Sequence, residues 1–142
     1  MRVMAIDYGD ARTGVAISDP SGLLTGFTTV IHNRNRETVL AQLAALCKER
    51  GADRLVMGFP RNMDGTEGPR AALYREFAAS LEEAAGMPVR LWDERRTTVE
   101  AHQILSSQNY HGKKRKNTVD AVAASLILEG YLGYLRNHPE EV

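Results

Sequence analysis

Four acids in this chain stand where a carboxylate does chemistry: Asp7 in "MAIDYGD", Asp93 and Glu94 in "RLWDERR", and Asp120 in "NTVDAVAAS". Asp7 ends an apolar run and is followed at once by the turn formers Gly9 and Asp10. Asp93 and Glu94 end a second apolar run, and Asp120 interrupts a mostly apolar helical face. Carboxylates from three separate segments suit a hard divalent cation, because Mg2+ takes oxygen ligands and keeps room for water and phosphate. Two such ions about 4 Å apart activate a water and stabilise the leaving oxygen of a phosphodiester. Hydrolysis of a nucleic-acid backbone is the reaction this equipment fits. Taken singly, each acid has a plainer role: Asp7 as a turn cap, Asp120 as a helix N-terminal acid held by the dipole, Asp93 and Glu94 as the start of a solvated loop. Only their joint placement separates the two readings. Asp10, Asp19 and Asp64 read as turn residues, Asp19 alone being near enough in the hairpin to join the set.

For the acids to meet, the elements between them must form one sheet. Residues 2–7 and 13–18 read as strands around the "YGDAR" turn, and residues 26–32 as a third after Pro20 and Gly22. Val39, Leu40, Leu43 and Leu46 recur at helical spacing before Gly51, predicting a helix over 36–50. A strand within residues 53–60 and the polar loop 61–68 come next. A helix over 69–85 then carries Leu73, Phe77 and Leu81 on one stripe, and residues 87–94 form a fifth strand. Thr97 or Thr98 caps a helix reaching about residue 107, with Glu100 near its start. "NYHGKKRKN" interrupts the periodicity, so the last helix is expected over 118–135, which puts Asp120 in its first turn. The order β-β-β-α-β-α-β-α-α predicts an α/β fold. Its five-stranded mixed sheet has an antiparallel first part, later strands parallel to the first, and helices on both faces. Ligands of such sheets collect at the carboxyl ends of the strands, where Asp7, Asp93 and Glu94 fall.

Composition narrows the class. With 142 residues, 43% hydrophobic and 25% charged, the chain is expected to form a single domain over 1–142 with a real core. No run of about 18 apolar residues and no basic leader occur, which predicts a cytoplasmic protein without a membrane segment. The lone Cys47 excludes a disulfide framework within one chain and is expected to be buried and inert. Lys plus Arg equals Asp plus Glu at 18 each, so any polyanion site must be local. The four consecutive cations Lys113, Lys114, Arg115 and Lys116 are one candidate, with Arg95 and Arg96, and Arg34 and Arg36, as smaller clusters. Read as preceding the helix of Asp120, the run would deliver phosphates to the acids; its plainer role is a solvated charge run. Of the histidines 32, 102, 111 and 138, none has metal spacing, and His111 beside Tyr110 either orients a water, contacts a base or does neither.

"IDYGDARTGVAISD", "GFPRNMDGTEG", "DERRTTVEA" and "KKRKNTVDAVAASLILEGYL" resemble, in order and spacing, the motifs of the YqgF family, also called RuvX, over nearly the whole chain. These are pre-16S rRNA nucleases and Holliday-junction-resolvase-like proteins of the RNase H-like fold. The resemblance implies metal-dependent nuclease chemistry, with Mg2+ or Mn2+ held by Asp7, Glu94 and Asp120 as the catalytic acids. Asp93 belongs to the same motif as a supporting or structural residue. Arg12 and Arg95 face the scissile phosphate or make structural ion pairs with Asp7 or Glu94. Phe59 and Arg96 stand where Leu is usual in the family, and neither departure touches the acids. The expected substrate is structured nucleic acid, with maturation of the 5′ end of pre-16S rRNA leading and ribosomal precursor particles as possible partners.

Three rivals stay open. A Holliday junction resolvase would act on DNA as a homodimer, and a monomer is equally compatible with the sequence. Leu126, Tyr131, Leu132, Tyr134 and Leu135 supply either a dimer surface or core. A non-catalytic ribosome assembly factor would keep the fold without turnover. The Asp-x-Gly hairpin also suits actin-like sugar kinases, but those need two lobes and this chain has length for one.

Overall fold

The computed structural model describes residues 1–22, 24–60, 65–93 and 112–141, the side chains of 112–120 and 141 excepted. Strands β1 (Val3–Asp7), β2 (Arg12–Ser18) and β3 (Thr25–His32) lead into helix α1 (Arg36–Arg50). Strand β4 (Arg54–Phe59), helix α2 (Arg70–Ala85), strand β5 (Val89–Asp93), helix α3 (Gly112–Asn137) and a short 3-10 turn at Pro139–Glu141 complete the described chain. The strands form one sheet in the order β3-β2-β1-β4-β5, in which β1–β2 and β2–β3 are antiparallel while β1–β4 and β4–β5 are parallel. The α/β class and mixed sheet expected from the element order are therefore present. The helix expected over residues 97–107 lies outside the described residues.

Local chemistry explains the boundaries. Asn35 caps α1 by accepting the amide of Thr38 at 2.9 Å, and Gly51 closes it in the left-handed region at φ 66°. In the β1–β2 turn a Cβ on Gly9 would run into the carbonyl of Arg12, so the turn requires glycine there.

Side-chain alternation along the strands divides the core into two layers. Met4, Ile6, Val15, Ile17, Leu55 and Met57 pack beneath α1 and α2 with Leu43, Phe77 and Leu81. On the other face, Val3, Ala5, Ala16 and Val56 meet Ala124, Ile127, Leu128, Tyr131, Leu132 and Leu135 of α3. Helices thus cover both faces, and Tyr131, Leu132 and Leu135 are core rather than dimer surface.

Three expectations are corrected. Leu73 is 41% exposed, and Tyr74 takes the inward position with Ala71, Phe77, Ala78 and Leu81. At about 100° per residue the centre of that stripe lies roughly a quarter-turn from position 73. The last helix begins at Gly112, not at 118, so Lys113–Lys116 belong to its first turns instead of preceding it. Lys and Arg are good helix formers, and their polarity hides the apolar period without breaking the helix. Asp19 sits at the amino edge of β1, because β2 runs antiparallel and pairs Met4 with Ile17 and Asp7 with Gly14. There its carboxylate accepts Ser21 Oγ at 2.8 Å within the turn, which removes it from the candidate acids.

Cys47 is buried, and desolvation, reinforced by the nearby Asp53 carboxylate, raises its thiol pKa. Among the described residues, no helix is long and apolar enough to cross a membrane.

Candidate active site

Asp7 is the last residue of β1, at the carboxyl edge of the parallel part of the sheet. It continues the row of Val3 and Ala5, which faces α3. It pairs with Gly14 on β2 and, one step past the Ile6–Met57 pair, stands level with Gly58 on β4. Neither adjoining strand therefore sets a side chain beside it. A carboxylate with glycine level with it on both adjoining strands has donor chemistry that fits a divalent metal, which takes oxygen ligands and keeps water and phosphate among them.

Position 120 lies one helical turn before Ala124, on the stripe of α3 that packs against Val3, Ala5, Ala16 and Val56. It is also the ninth residue of α3, counting from Gly112. Dipole stabilisation fades beyond the first turn, so the plain explanation of Asp120 as a helix N-terminal acid loses its basis.

Asp93 ends β5 next to Phe59 of β4, leaving β4 between it and Asp7. Two strand spacings amount to about 10 Å. Val89 and Leu91 point toward the α1–α2 layer, so Asp93, two residues on, falls on the face opposite Asp7. Glu94, Arg95, Asp64, His102, Tyr110 and His111 lie outside the described residues. Among the described residues no three His, Cys, Asp or Glu side chains gather as a metal group. Arg12 opens β2 opposite His32, at the same sheet edge as Asp7. Asp7, Arg12 and Asp93 each interact with neighbouring groups. Arg36 is occupied, donating to Ser80 Oγ at 2.8 Å and lying 3.8 Å from Glu37, so the Arg34–Arg36 pair is not a free cationic cluster.

The sequence reading missed what holds the turn after Asp7. The ring of Tyr8 stacks on Phe77 at 3.8 Å and meets Tyr74 edge-on at 5.4 Å. The Tyr74 hydroxyl donates to the Tyr8 carbonyl at 2.6 Å and accepts from Arg70 Nη2 at 2.8 Å. The signal was Tyr74 itself, one place off the stripe drawn through Leu73.

The sequence of residues 1–134 matches the family model RuvX, described as Holliday junction resolvase. A relative from Halothermothrix orenii named "Putative pre-16S rRNA nuclease" is 44% identical over 94% of this chain and 96% of its own length. Another of the same name, from Moorella thermoacetica, is 43% identical over 95% and 96%. The chain belongs to the RuvX family. Among solved structures, Thermus thermophilus RuvC in complex with Holliday junction substrate superposes with a TM-score of 0.57 at 14% identity, covering 94% of this chain and 96% of that one. The fold of this RuvX chain is accordingly RNase H-like, as the motifs implied.

Proposed function

We propose that this RuvX chain is a divalent-metal-dependent nuclease, one domain over residues 1–142, in which Asp7, Glu94 and Asp120 hold Mg2+ or Mn2+. The observation that carries the reading is one of register: Asp7 continues the β1 row of Val3 and Ala5, which packs on α3, and position 120 stands one helical turn before Ala124, which packs on the sheet. Glu94 enters from the motif and from its place directly after β5. The metal, when bound, polarises the scissile phosphate and lowers the pKa of an attacking water. Asp7 supplies a ligand fixed by the strand, since a carboxylate on a paired strand loses little geometry to loop motion. Asp120 supplies one from the helix, and Asp93 steadies the end of β5. Arg12 and Arg95 neutralise phosphate near the acids, and Lys113, Lys114, Arg115 and Lys116 draw the backbone in along the first turns of α3.

The substrate we infer is structured RNA, foremost the 5′ end of pre-16S rRNA in ribosomal precursor particles, which makes the protein cytoplasmic. The names of the relatives support this choice. A four-way DNA junction, named in the family description, is the second substrate. Purified protein incubated with Mn2+ and labelled rRNA precursor, linear strands or four-way junctions separates them. Faster cutting of the precursor is expected; exclusive, symmetric cutting of junctions would move the assignment to DNA and require a homodimer.

A further inference from the structure

At the carboxyl edge, Arg70, Tyr74 and the Tyr8 carbonyl form a chain of hydrogen bonds that ends one residue from Asp7. Tyr74 is 3% exposed, and its 2.6 Å bond to the Tyr8 carbonyl ties the second turn of α2 to the chain as it leaves β1. Tyr8 is further pinned by stacking on Phe77, which is fully buried. The backbone after Asp7 is therefore held from the α1–α2 side of the sheet, opposite the face proposed to take the metal. Arg70 gives Nη2 to the Tyr74 hydroxyl at 2.8 Å, its guanidinium lying 5.2 Å from the Tyr74 ring centroid. The residue is exposed, and among the described residues no carboxylate pairs with it. Its neighbour Arg75 behaves differently, being closed by Glu67 at 2.8 Å. A guanidinium has five donors in a planar fork, so one bond to Tyr74 leaves the rest of the fork for an anion.

We propose that Arg70 is a phosphate contact for the nucleic-acid substrate and that Tyr74 is a positioning residue, fixing the Tyr8 carbonyl and through it the Asp7 carboxylate. The inference rests on the nuclease reading and adds to it a backbone contact on the side of the sheet away from α3. Phosphate drawn to Arg70 lies close to the strand end that carries Asp7, so docking and orientation are served by one hydrogen-bonded chain. No base is read by it: a guanidinium on phosphate positions the strand without specifying sequence.

The test uses full-length protein and the variants Arg70→Gln, Tyr74→Phe and Asp7→Asn. Binding to labelled single-stranded RNA is measured across a salt series, cleavage at saturating RNA across a Mn2+ series, and Tm for each. Arg70→Gln should weaken binding and flatten the logarithmic salt slope by about 0.7, the loss of one single-strand phosphate contact. Tyr74→Phe keeps the ring and should keep the wild-type salt slope. It should cut several-fold more slowly at saturating RNA and need more Mn2+ for half-maximal rate. An unchanged slope in Arg70→Gln overturns the phosphate contact. For Tyr74→Phe, a wild-type rate and Mn2+ requirement overturn the positioning role, as does a loss of rate that follows Tm alone with the Mn2+ requirement unmoved. Failure of the nuclease reading shows elsewhere: Asp7→Asn would then cut like wild type whatever the other two variants do.

Discussion

At the scale of single residues, Asp7 and Asp120 differ from the other acids by where they stand in their elements. Asp7 has glycines level with it on both neighbouring strands, and Asp120 lies too far along α3 to gain from its dipole. The proposed role of Asp120 as a metal ligand gives a definite expectation. Asp120→Asn should leave Tm unchanged or slightly higher, since sites built for function commonly cost stability, while cleavage falls at least about 100-fold as a metal ligand is lost. Thermal melting and single-turnover cleavage on one preparation check both halves. Cys47 gives an independent expectation. Its folded pKa is raised, mainly by burial, so the native state disfavours the thiolate. Its contribution to stability is whole below the unfolded thiol pKa of about 8.5 and is lost as pH rises through the folded value. Urea midpoints measured from pH 7 to 10 should fall more steeply for wild type than for Cys47→Ala.

At the scale of elements, the strands and α1 were legible because their signals are local: an apolar run, a turn residue, a glycine that ends a helix. Gly51 marked the end of α1 in the sequence and closes it in the structure. The boundary of α3 was not legible, since four cations conceal the apolar period that a buried helix shows while leaving the backbone free to be helical. The stripe of α2 failed for a related reason: a chain of i+4 steps through Leu73, Phe77 and Leu81 drifts around the helix, and only Tyr74 and Ala71 reveal its centre. The corrected stripe predicts that Phe77→Ala costs about 3–5 kcal/mol, whereas Leu73→Ala stays within about 0.5 kcal/mol, both measured by urea denaturation. For α3, replacing Lys113, Lys114, Arg115 and Lys116 with Gln should flatten the salt dependence of RNA binding, by roughly 0.7 in slope for each phosphate contact removed. An unchanged slope would leave the segment as an ordinary solvated helix start.

At the scale of the whole molecule, the sheet order explains why the acids are far apart in sequence. β1 lies at the centre with β2 antiparallel on one side and β4 parallel on the other, so the carboxyl edge gathers the ends of β1, β4 and β5. Helix α3 covers one face of that sheet. The order of elements and the motif spacing carried this much of the sheet edge in the sequence, because topology follows from connection lengths and the ends of strands from apolar runs. The Arg70–Tyr74–Tyr8 chain was not legible, since nothing in the spacing of residues 8, 70 and 74 announces that α2 returns to the end of β1. Cleavage of labelled pre-16S rRNA precursor, titrated with Mn2+, decides whether Asp7 serves a metal-dependent nuclease when wild type is run beside Asp7→Asn. Wild type should show a rate that rises from background and saturates with Mn2+, and Asp7→Asn no saturable rate; equal, metal-independent cutting by both would overturn the metal-dependent nuclease reading.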